Sequence, residues 1–375
     1  MRLASFNVEN MFRRPKALDQ VDWKVGKPIL EAYAELQELL GENTYTPPMK
    51  ARMVKLLTQL GLKGRDEGTW VILRRNRGQL IKRPRNGPIT VTADGRGDWI
   101  GWLELKREAV NEAATRNTAR VMADLDADVL SVIEAEDRTA LVRFNADVLP
   151  HGFAAAGAAW TYDHVMLIDG NDERGIDVGL FSRQAYPILS MSSHVDDLDT
   201  GTEEPIFSRD CAEYEIGLNV GEPVLLLVNH FKSKGYGKPA VSTAKRRRQA
   251  ERVAEIYRQR RAEGRARVVV MGDLNDTPDS NALAPLITAT DLRDASEVAG
   301  FDFGGRRGTF GTSNDKIDYL LLSPELFAAA STGGILRSGV WRGPRVKNPW
   351  PMYATITRAE QAASDHAAIW VDLDL

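Results

Sequence analysis

Ser364-Asp365-His366-Ala367-Ala368-Ile369-Trp370-Val371 puts an acid and an imidazole side by side at the head of an alternating, strand-like run. Three further polar clusters also close strand-like runs: Phe6-Asn7-Val8-Glu9-Asn10, Asn229-His230-Phe231-Lys232-Ser233-Lys234 and Gly272-Asp273-Leu274-Asn275-Asp276. Another run, Val129-Leu130-Ser131-Val132-Ile133, ends in Glu134. Apolar strands that each deliver an acid, an amide or an imidazole at one end of a sheet build a site for a metal ion and a phosphate. Hard cations take oxygen ligands, and phosphate oxygens take charged or polar donors.

Working outward, residues 117–125 and 138–148 have helical apolar spacing, and 244–261 form a long basic helix. Residues 129–133, 177–181, 212–218, 224–228, 268–271 and 317–322 are strand-like. Interspersed helices and strands predict layers of helix on sheet. Residues 13–112 differ in texture. Helical spacing at 29–40 and 50–60 is separated by Pro47-Pro48. The runs 70–73 and 79–82 read as a hairpin turned by Arg74-Arg75-Asn76-Arg77-Gly78, with further strands at 89–92 and 99–105. The expected organisation is one catalytic domain over 1–375, with an α+β insertion at 13–112 after its first strand.

With 375 residues, 43% hydrophobic and 27% charged, the chain fits a soluble globular protein with a sizeable core. Its net charge of -3 gives no global bias toward nucleic acid. The single cysteine, Cys211, excludes an internal disulfide and a cysteine-rich zinc site. The start has no secretory apolar core, and no apolar run approaches the roughly 18 residues that span a bilayer. A cytoplasmic protein without a membrane partner is expected.

The polar residues suggest roles. Glu134 at a strand end suits a hard cation, and it also reads as a helix-start acid, a part for which Glu136 and Asp137 are better placed. Strand alternation puts Asp273 and Asn275 on one side, with Leu274 opposite. Asp273 would position or deprotonate water and Asn275 would donate to a phosphoryl oxygen, although Gly, Asp and Asn also favour turns. His230 suits an acid, a donor or a ligand, with Lys232, Lys234, Gly235 and Gly237 adding charge and mobile backbone beside it. Asp318 interrupts the apolar run Lys316-Ile317-Asp318-Tyr319-Leu320-Leu321, where burial demands a partner. His366 is an apt one, because an acid on one imidazole nitrogen fixes the tautomer and favours the cation.

In this order, Asn7, Glu134, His230, Asp273/Asn275, Asp318 and Asp365/His366 resemble the endonuclease/exonuclease/phosphatase superfamily, over 1–10 and 117–375. The resemblance implies a four-layer α/β sandwich: two packed, mainly antiparallel sheets with helices outside. It also implies phosphoester cleavage with Mg²⁺ or Mn²⁺. By matching motif, Glu134, Asn7 and Asp365 would bind metal, and Asp273 would orient or activate water. Asn275 and His230 would contact the phosphate, with His230 a possible proton source for the leaving group. His366, oriented by Asp318, would stabilise the phosphoryl charge or act as base. Arg174-Gly175-Ile176-Asp177-Val178-Gly179-Leu180-Phe181 also looks like a family strand, from which Arg174 or Asp177 would reach the site.

Branches of the family differ. Inositol-polyphosphate 5-phosphatases carry Trp-Cys-Asp-Arg where this chain has Asn314-Asp315-Lys316-Ile317-Asp318-Tyr319, which lowers that reading. Secreted sphingomyelinases and DNase I-like enzymes usually carry a signal peptide. The apurinic-site repair enzymes have a tyrosine-bearing segment at the place of His230. The insertion is the best clue. Between 50 and 85 stand eleven basic residues (Lys50, Arg52, Lys55, Lys63, Arg65, Arg74, Arg75, Arg77, Lys82, Arg83 and Arg85), opposed only by Asp66 and Glu67. With Trp70 nearby, Arg74, Arg75, Arg77, Lys82 and Arg83 would sit against a phosphate backbone, and Lys245-Arg246-Arg247-Arg248 adds a second patch. The alternative is a solvated face and an oligomer contact, with the insertion mediating a dimer. A nuclease is therefore expected. The competitors are a phosphatase or phosphodiesterase of a small or lipid-linked ester, and a non-catalytic binding module.

Overall fold

The first apolar run, Arg2–Asn7, becomes a central strand because nearly every side chain on both its faces is buried. In the computed structural model, which describes residues 1–375 except 10, 12, 18–22, 86, 154–159, 173, 235–237 and 348, it lies in a six-stranded sheet. The strand order there is Ala330–Leu336, Ala368–Leu373, Arg2–Asn7, Val129–Ala135, Asp177–Ser182, His164–Ile168. A second six-stranded sheet runs Ile188–Ser192, Cys211–Ile216, Val224–His230, Val268–Asp273, Asp318–Leu322, Arg293–Asp294. Each sheet is antiparallel except for one inner parallel pair. Those pairs are Arg2–Asn7 with Val129–Ala135 and Val224–His230 with Val268–Asp273.

Alternation at period two gives each strand two apolar faces. Leu3, Ile133 and Val178 of the first sheet share one buried cluster with Val228, Met271 and Leu320 of the second, so the sheets pack face to face. Phe6, Val132 and Phe181 face outward onto Met122, Leu141 and Phe144 of the helices Glu112–Leu125 and Arg138–Asp147. Val270 and Leu321 pack against Val253 and Tyr257 of the helix Pro239–Ala262. The result is the α/β/β/α sandwich expected from the resemblance. Among the described residues, no helix is long and apolar enough to cross a membrane.

Contacts divide the chain into two units: Met1–Phe12, Val110–Lys234 and Ala240–Leu375, and separately Arg13–Ala109 with Gly235–Pro239. The second unit buries Leu36, Leu56, Leu57, Leu73, Trp99 and Leu103 between the helices Trp23–Gly41 and Pro47–Gln59 and short ribbons. Here one expectation fails. Val71–Gly78 does not turn back onto Ile81–Lys82; it pairs with Trp99–Leu105, and Ile81–Lys82 pairs with Thr90–Val91. Val71 and Leu73 alternate in phase with Trp99, Gly101, Leu103 and Leu105, so the long partner buries a whole face that a two-residue strand leaves open. Arg74 to Arg77 are thus strand, with a bulge between Arg75 and Arg77, and left-handed Gly78 (φ 73°) ends the run.

The strands His164–Ile168, Ile188–Ser192 and Ala330–Leu336 were not expected. The last contains Gly333-Gly334, which weakens a strand signal. A Cβ at Gly333 would stand 2.8 Å from the Phe301 ring and from the Trp370 carbonyl, so close packing requires the glycine.

Candidate active site

The two parallel pairs deliver four strand ends to one edge of the sandwich. Asn7, His230 and Asp273 are the last residues of their strands, and Glu134 is next to last in its own. Asp318 opens an antiparallel strand whose register places it opposite Asp273, so it reaches the same edge. His366 precedes Ala368–Leu373, which runs antiparallel to Arg2–Asn7. Along the strands, Asn7, His230, Asp273 and Asp318 share the parity of Leu3, Val228, Met271 and Leu320. The apolar layer between the sheets therefore ends in polar groups.

Local backbone aims the rest. Asp177 pairs with Ala135 and Val178 with Ile133, which leaves Glu134 as the extra residue of a bulge with φ 70°. Such a bulge re-aims a side chain that plain alternation would send toward the helices. The helix-start part belongs to Asp137, which accepts the Ala140 N–H at 2.7 Å. Asn275 meets Asp273 through a left-handed turn (φ 54°), not through continued strand. Its backbone N–H donates to Asp273 Oδ1 at 2.8 Å and its amide Nδ2 to Asp273 Oδ2 at 3.1 Å. Gly272 (φ 121°) lets this strand end approach its neighbour, since a Cβ there would lie 2.0 Å from the Asn229 carbonyl oxygen.

Asn7 Nδ2 donates to Asp273 Oδ2 at 3.1 Å and to Glu134 Oε1 at 3.4 Å. His366 Nδ1 lies 2.9 Å from Asp318 Oδ2, and its Nε2 is 3.9 Å from Asp273 and 3.7 Å from Asp365. His230 Nε2 stands 3.6 Å from both Glu134 Oε1 and Asp273 Oδ2. Ser364 Oγ donates to the Asn7 carbonyl at 2.7 Å and accepts the His366 N–H at 2.9 Å, which locks the tail to the first strand.

Electrostatics separates the two imidazoles. Burial pushes Asp273 up to about 7, with Asp318 adding to the rise. Burial works against a charged His366, but Asp318 and Asp365 hold it well above the ordinary imidazole range. Burial holds His230 well below that range, aided by Arg209 and Arg174. Burial and the same two arginines bring Lys232 down to about 8.

Several expected charges are already committed. Lys234 pairs with Asp276, which also receives Arg246 Nε at 3.0 Å. The second basic patch is not free. Lys245 donates to the Pro205 carbonyl, Arg246 is buried, Arg247 pairs with Glu251, and Arg248 with Asp199. A helix that read as an anion surface is instead pinned by distant acids and carbonyls. In the second unit, Arg74 pairs with Glu104, Lys50 with Asp94, and Arg52 with Glu35, while Arg75 and Arg83 share Asp66. Arg77 and Lys82 have no carboxylate partner among the described residues. Asn10, Gly235 and Gly237 lie outside the described residues. Asp177 is buried at the bulge and accepts the Gly170 N–H, and Arg174 is paired with Asp172.

Two features escaped the sequence. Arg209 is 2% exposed, with Nε 2.7 Å from Asp172 and Nη1 donating to the Phe231 carbonyl beside His230. Its one signal was a charge directly before an apolar strand. Phe310 sets its ring edge-on to His366 at 5.0 Å between centroids and stays 40% exposed; nothing in its surroundings marked it.

The donor set suits a hard cation. Among the described residues, donor atoms of Asp273, Asp318 and His366 lie within 4.8 Å of one another, and with His366 committed to Asp318 and held cationic, the carboxylate oxygens are the groups free to meet a cation. Buried Asp365 Oδ1 has no hydrogen-bond partner, and Glu134 adds a further carboxylate. Crowded, buried carboxylates with an orphaned oxygen are what a divalent ion would relieve.

A search among curated proteins found no match. Among solved structures, the chain is similar to the Bacteroides thetaiotaomicron VPI-5482 mannosyl-6-phosphatase Bt3783, at 16% identity over 70% of this chain and 91% of that chain, with a TM-score of 0.47. It is similar to truncated Caenorhabditis elegans TDP2 at 16% identity over 69% and 90%, with a TM-score of 0.44. It is also similar to a Staphylococcus aureus beta toxin at 15% identity over 70% and 93%, with a TM-score of 0.44. The model of the Endonuclease/Exonuclease/phosphatase family matches residues 106–302, a segment that holds Glu134, His230, Asp273 and Asn275. That match spans just over half of the chain, and the chain belongs to the Endonuclease/Exonuclease/phosphatase family.

Proposed function

We propose that the chain is a phosphodiesterase that uses Mg²⁺ or Mn²⁺, with DNA or RNA as substrate. The observation that carries this reading is the set of buried Asn7, His230, Asp273, Asp318 and His366 with half-buried Glu134 at one edge of both sheets. Glu134, with Asn7 and Asp365, would hold the cation. When bound, the cation polarises a phosphoryl oxygen and shields its charge.

The chain's own groups then divide the proton work. Asp273, poised near 7, takes a proton from the attacking water as the water oxygen bonds to phosphorus. His366, kept cationic by Asp318, faces the developing negative charge and gives its Nε2 proton to the leaving oxygen as the scissile P–O bond breaks. His230 is held neutral, so it serves as a hydrogen-bond donor to phosphate and not as the acid. Asn275 Nδ2 exchanges its bond to Asp273 for one to a phosphoryl oxygen. Lys232 supplies nearby positive charge, and Lys234 contributes only by leaving Asp276. A small or lipid-linked ester would use the same groups. The basic character of residues 50–85 favours the polymer.

The test is cleavage of single-stranded DNA, duplex DNA, RNA and bis-p-nitrophenyl phosphate with Mg²⁺, Mn²⁺ or EDTA, using Asp273→Ala as control. Metal-dependent cutting of a polymer that the variant loses is the expected result. Turnover of the small ester alone shifts the reading to the small-substrate phosphodiesterase, and no turnover of any of them refutes the catalytic reading.

A further inference from the structure

The ribbon formed by Val71–Gly78 and Trp99–Leu105 has two unlike faces. One face buries Val71, Leu73, Trp99, Leu103 and Leu105 in the core of the second unit. The other carries Arg74 opposite Trp102 and, past the bulge, Arg77 opposite Ile100. Ile100 is 53% exposed and Trp102 is 49% exposed. Exposing a large indole and an isoleucine together on one ribbon costs solvation and calls for an occupant.

Charge and ring exposure favour one occupant. Glu104, two residues along the same face from Trp102, accepts Arg74 Nε at 2.9 Å, so the indole stands beside a neutralised pair. The half-exposed indole offers its ring to a flat partner. Residues 13–109 hold 19 Lys and Arg against 12 Asp and Glu, a net of +7 in a chain of net -3, so the remainder carries -10. Arg77, one register step from Trp102, has no carboxylate partner among the described residues. Aromatic stacking beside unpaired guanidinium suits unstacked bases joined by phosphates; duplex bases are already stacked on each other. Trp70, the aromatic singled out in the sequence, packs against the core instead.

We infer that this open face, centred on Trp102 and Arg77, binds a single strand of nucleic acid, with a base on the indole and a phosphate on the guanidinium. The inference rests on the polymer reading of the active site, but its test reads binding alone. The full-length chain in EDTA, where metal-dependent cleavage is off, is titrated into a fluorescein-labelled oligo(dT) and followed by anisotropy at several salt concentrations. Trp102→Ala is expected to weaken binding about fivefold or more, and Trp102→Phe to restore most of it. Arg77→Ala is expected to lower affinity and to flatten the salt dependence by roughly one phosphate contact. Binding unchanged in both Trp102→Ala and Arg77→Ala overturns the proposal, and so does an unlabelled duplex competing as well as oligo(dT). A concentration-dependent dimer in sedimentation that Trp102→Ala abolishes, with strand binding intact, would reassign the face to contact between copies. Hydrolysis of bis-p-nitrophenyl phosphate is a separate readout, so a failure of the ribbon and a failure of the active site give different results.

Discussion

Asp318→Asn is the substitution that separates chemistry from folding. Asp318 is 2% exposed, and its carboxylate oxygens lie 2.9 Å and 3.2 Å from His366 Nδ1. At roughly 4 Å between charge centres and an effective dielectric of about 20, such a pair is worth up to about 4 kcal/mol. If that attraction is what keeps His366 in its proton-giving form, its loss lowers the fraction of that form, and with it turnover, by as much as a thousandfold, since about 1.4 kcal/mol is a factor of ten. The amide also offers an N–H toward Nδ1 and favours the wrong tautomer, which acts in the same direction.

Stability should change far less, because the lost attraction to His366 is offset within the cluster. Asp318 helps to push buried Asp273 up, so removing its charge relieves a repulsion inside the same cluster. The assay is steady-state hydrolysis of bis-p-nitrophenyl phosphate with Mn²⁺, alongside thermal unfolding of the same preparations. The expected pattern is a rate lower by about 10²–10³ with an unfolding temperature shifted by only a few degrees. Turnover within about threefold of the unsubstituted protein would refute the reasoning, because a positioned imidazolium is worth far more than that. A large fall in unfolding temperature would show that the pair holds the fold and not the reaction.

Two other charge clusters give sharper stability tests. Asp172→Asn leaves the buried Arg209 guanidinium without its carboxylate and should cost about 3–5 kcal/mol, read as an unfolding temperature lower by roughly 4–9 °C in calorimetry. His194 lies between Glu213 (2.6 Å) and Asp197 (3.0 Å); burial opposes its charge, but these acids raise its pKa. Its contribution is then full below about pH 6.5 and lost as pH rises through the higher folded value. The gap in urea midpoint between the unsubstituted protein and His194→Gln should accordingly shrink with rising pH, and a gap that widens contradicts the assignment.

Much of the site was legible because a charge that closes an apolar run has few places to go. Asp273, His230 and Asp318 each follow or open a strand whose parity already faces the sheet interface, so residue type and position sufficed. The aiming was not legible. Glu134 reaches the cluster only through a bulge set by the register of Asp177 and Val178, some forty residues on, and no local pattern encodes that. Asn275 arrives by a left-handed turn where alternation predicted the same neighbour for the wrong reason. The hairpin reading of 70–82 failed likewise, because the better partner, Trp99–Leu105, lay beyond the nearer run.

Charge was the hardest feature to read, and for one physical reason. A run such as Lys245-Arg246-Arg247-Arg248 is visible in sequence, whereas most groups that engage it are dispersed: the Pro205 carbonyl, Asp276 and Asp199, with only Glu251 one turn away. The same holds between 50 and 85, where Asp66 alone takes Arg75 and Arg83, while Glu35, Asp94 and Glu104 take Arg52, Lys50 and Arg74. Exposed pairs of this kind are worth at most about 1 kcal/mol each, so a phosphate can displace the carboxylate at little cost. Pairing therefore lowers the number of standing free charges without removing the attraction for a polyanion. It shifts the decisive contact from the count of basic residues to a surface that charge pairing does not mask, the half-exposed ring of Trp102.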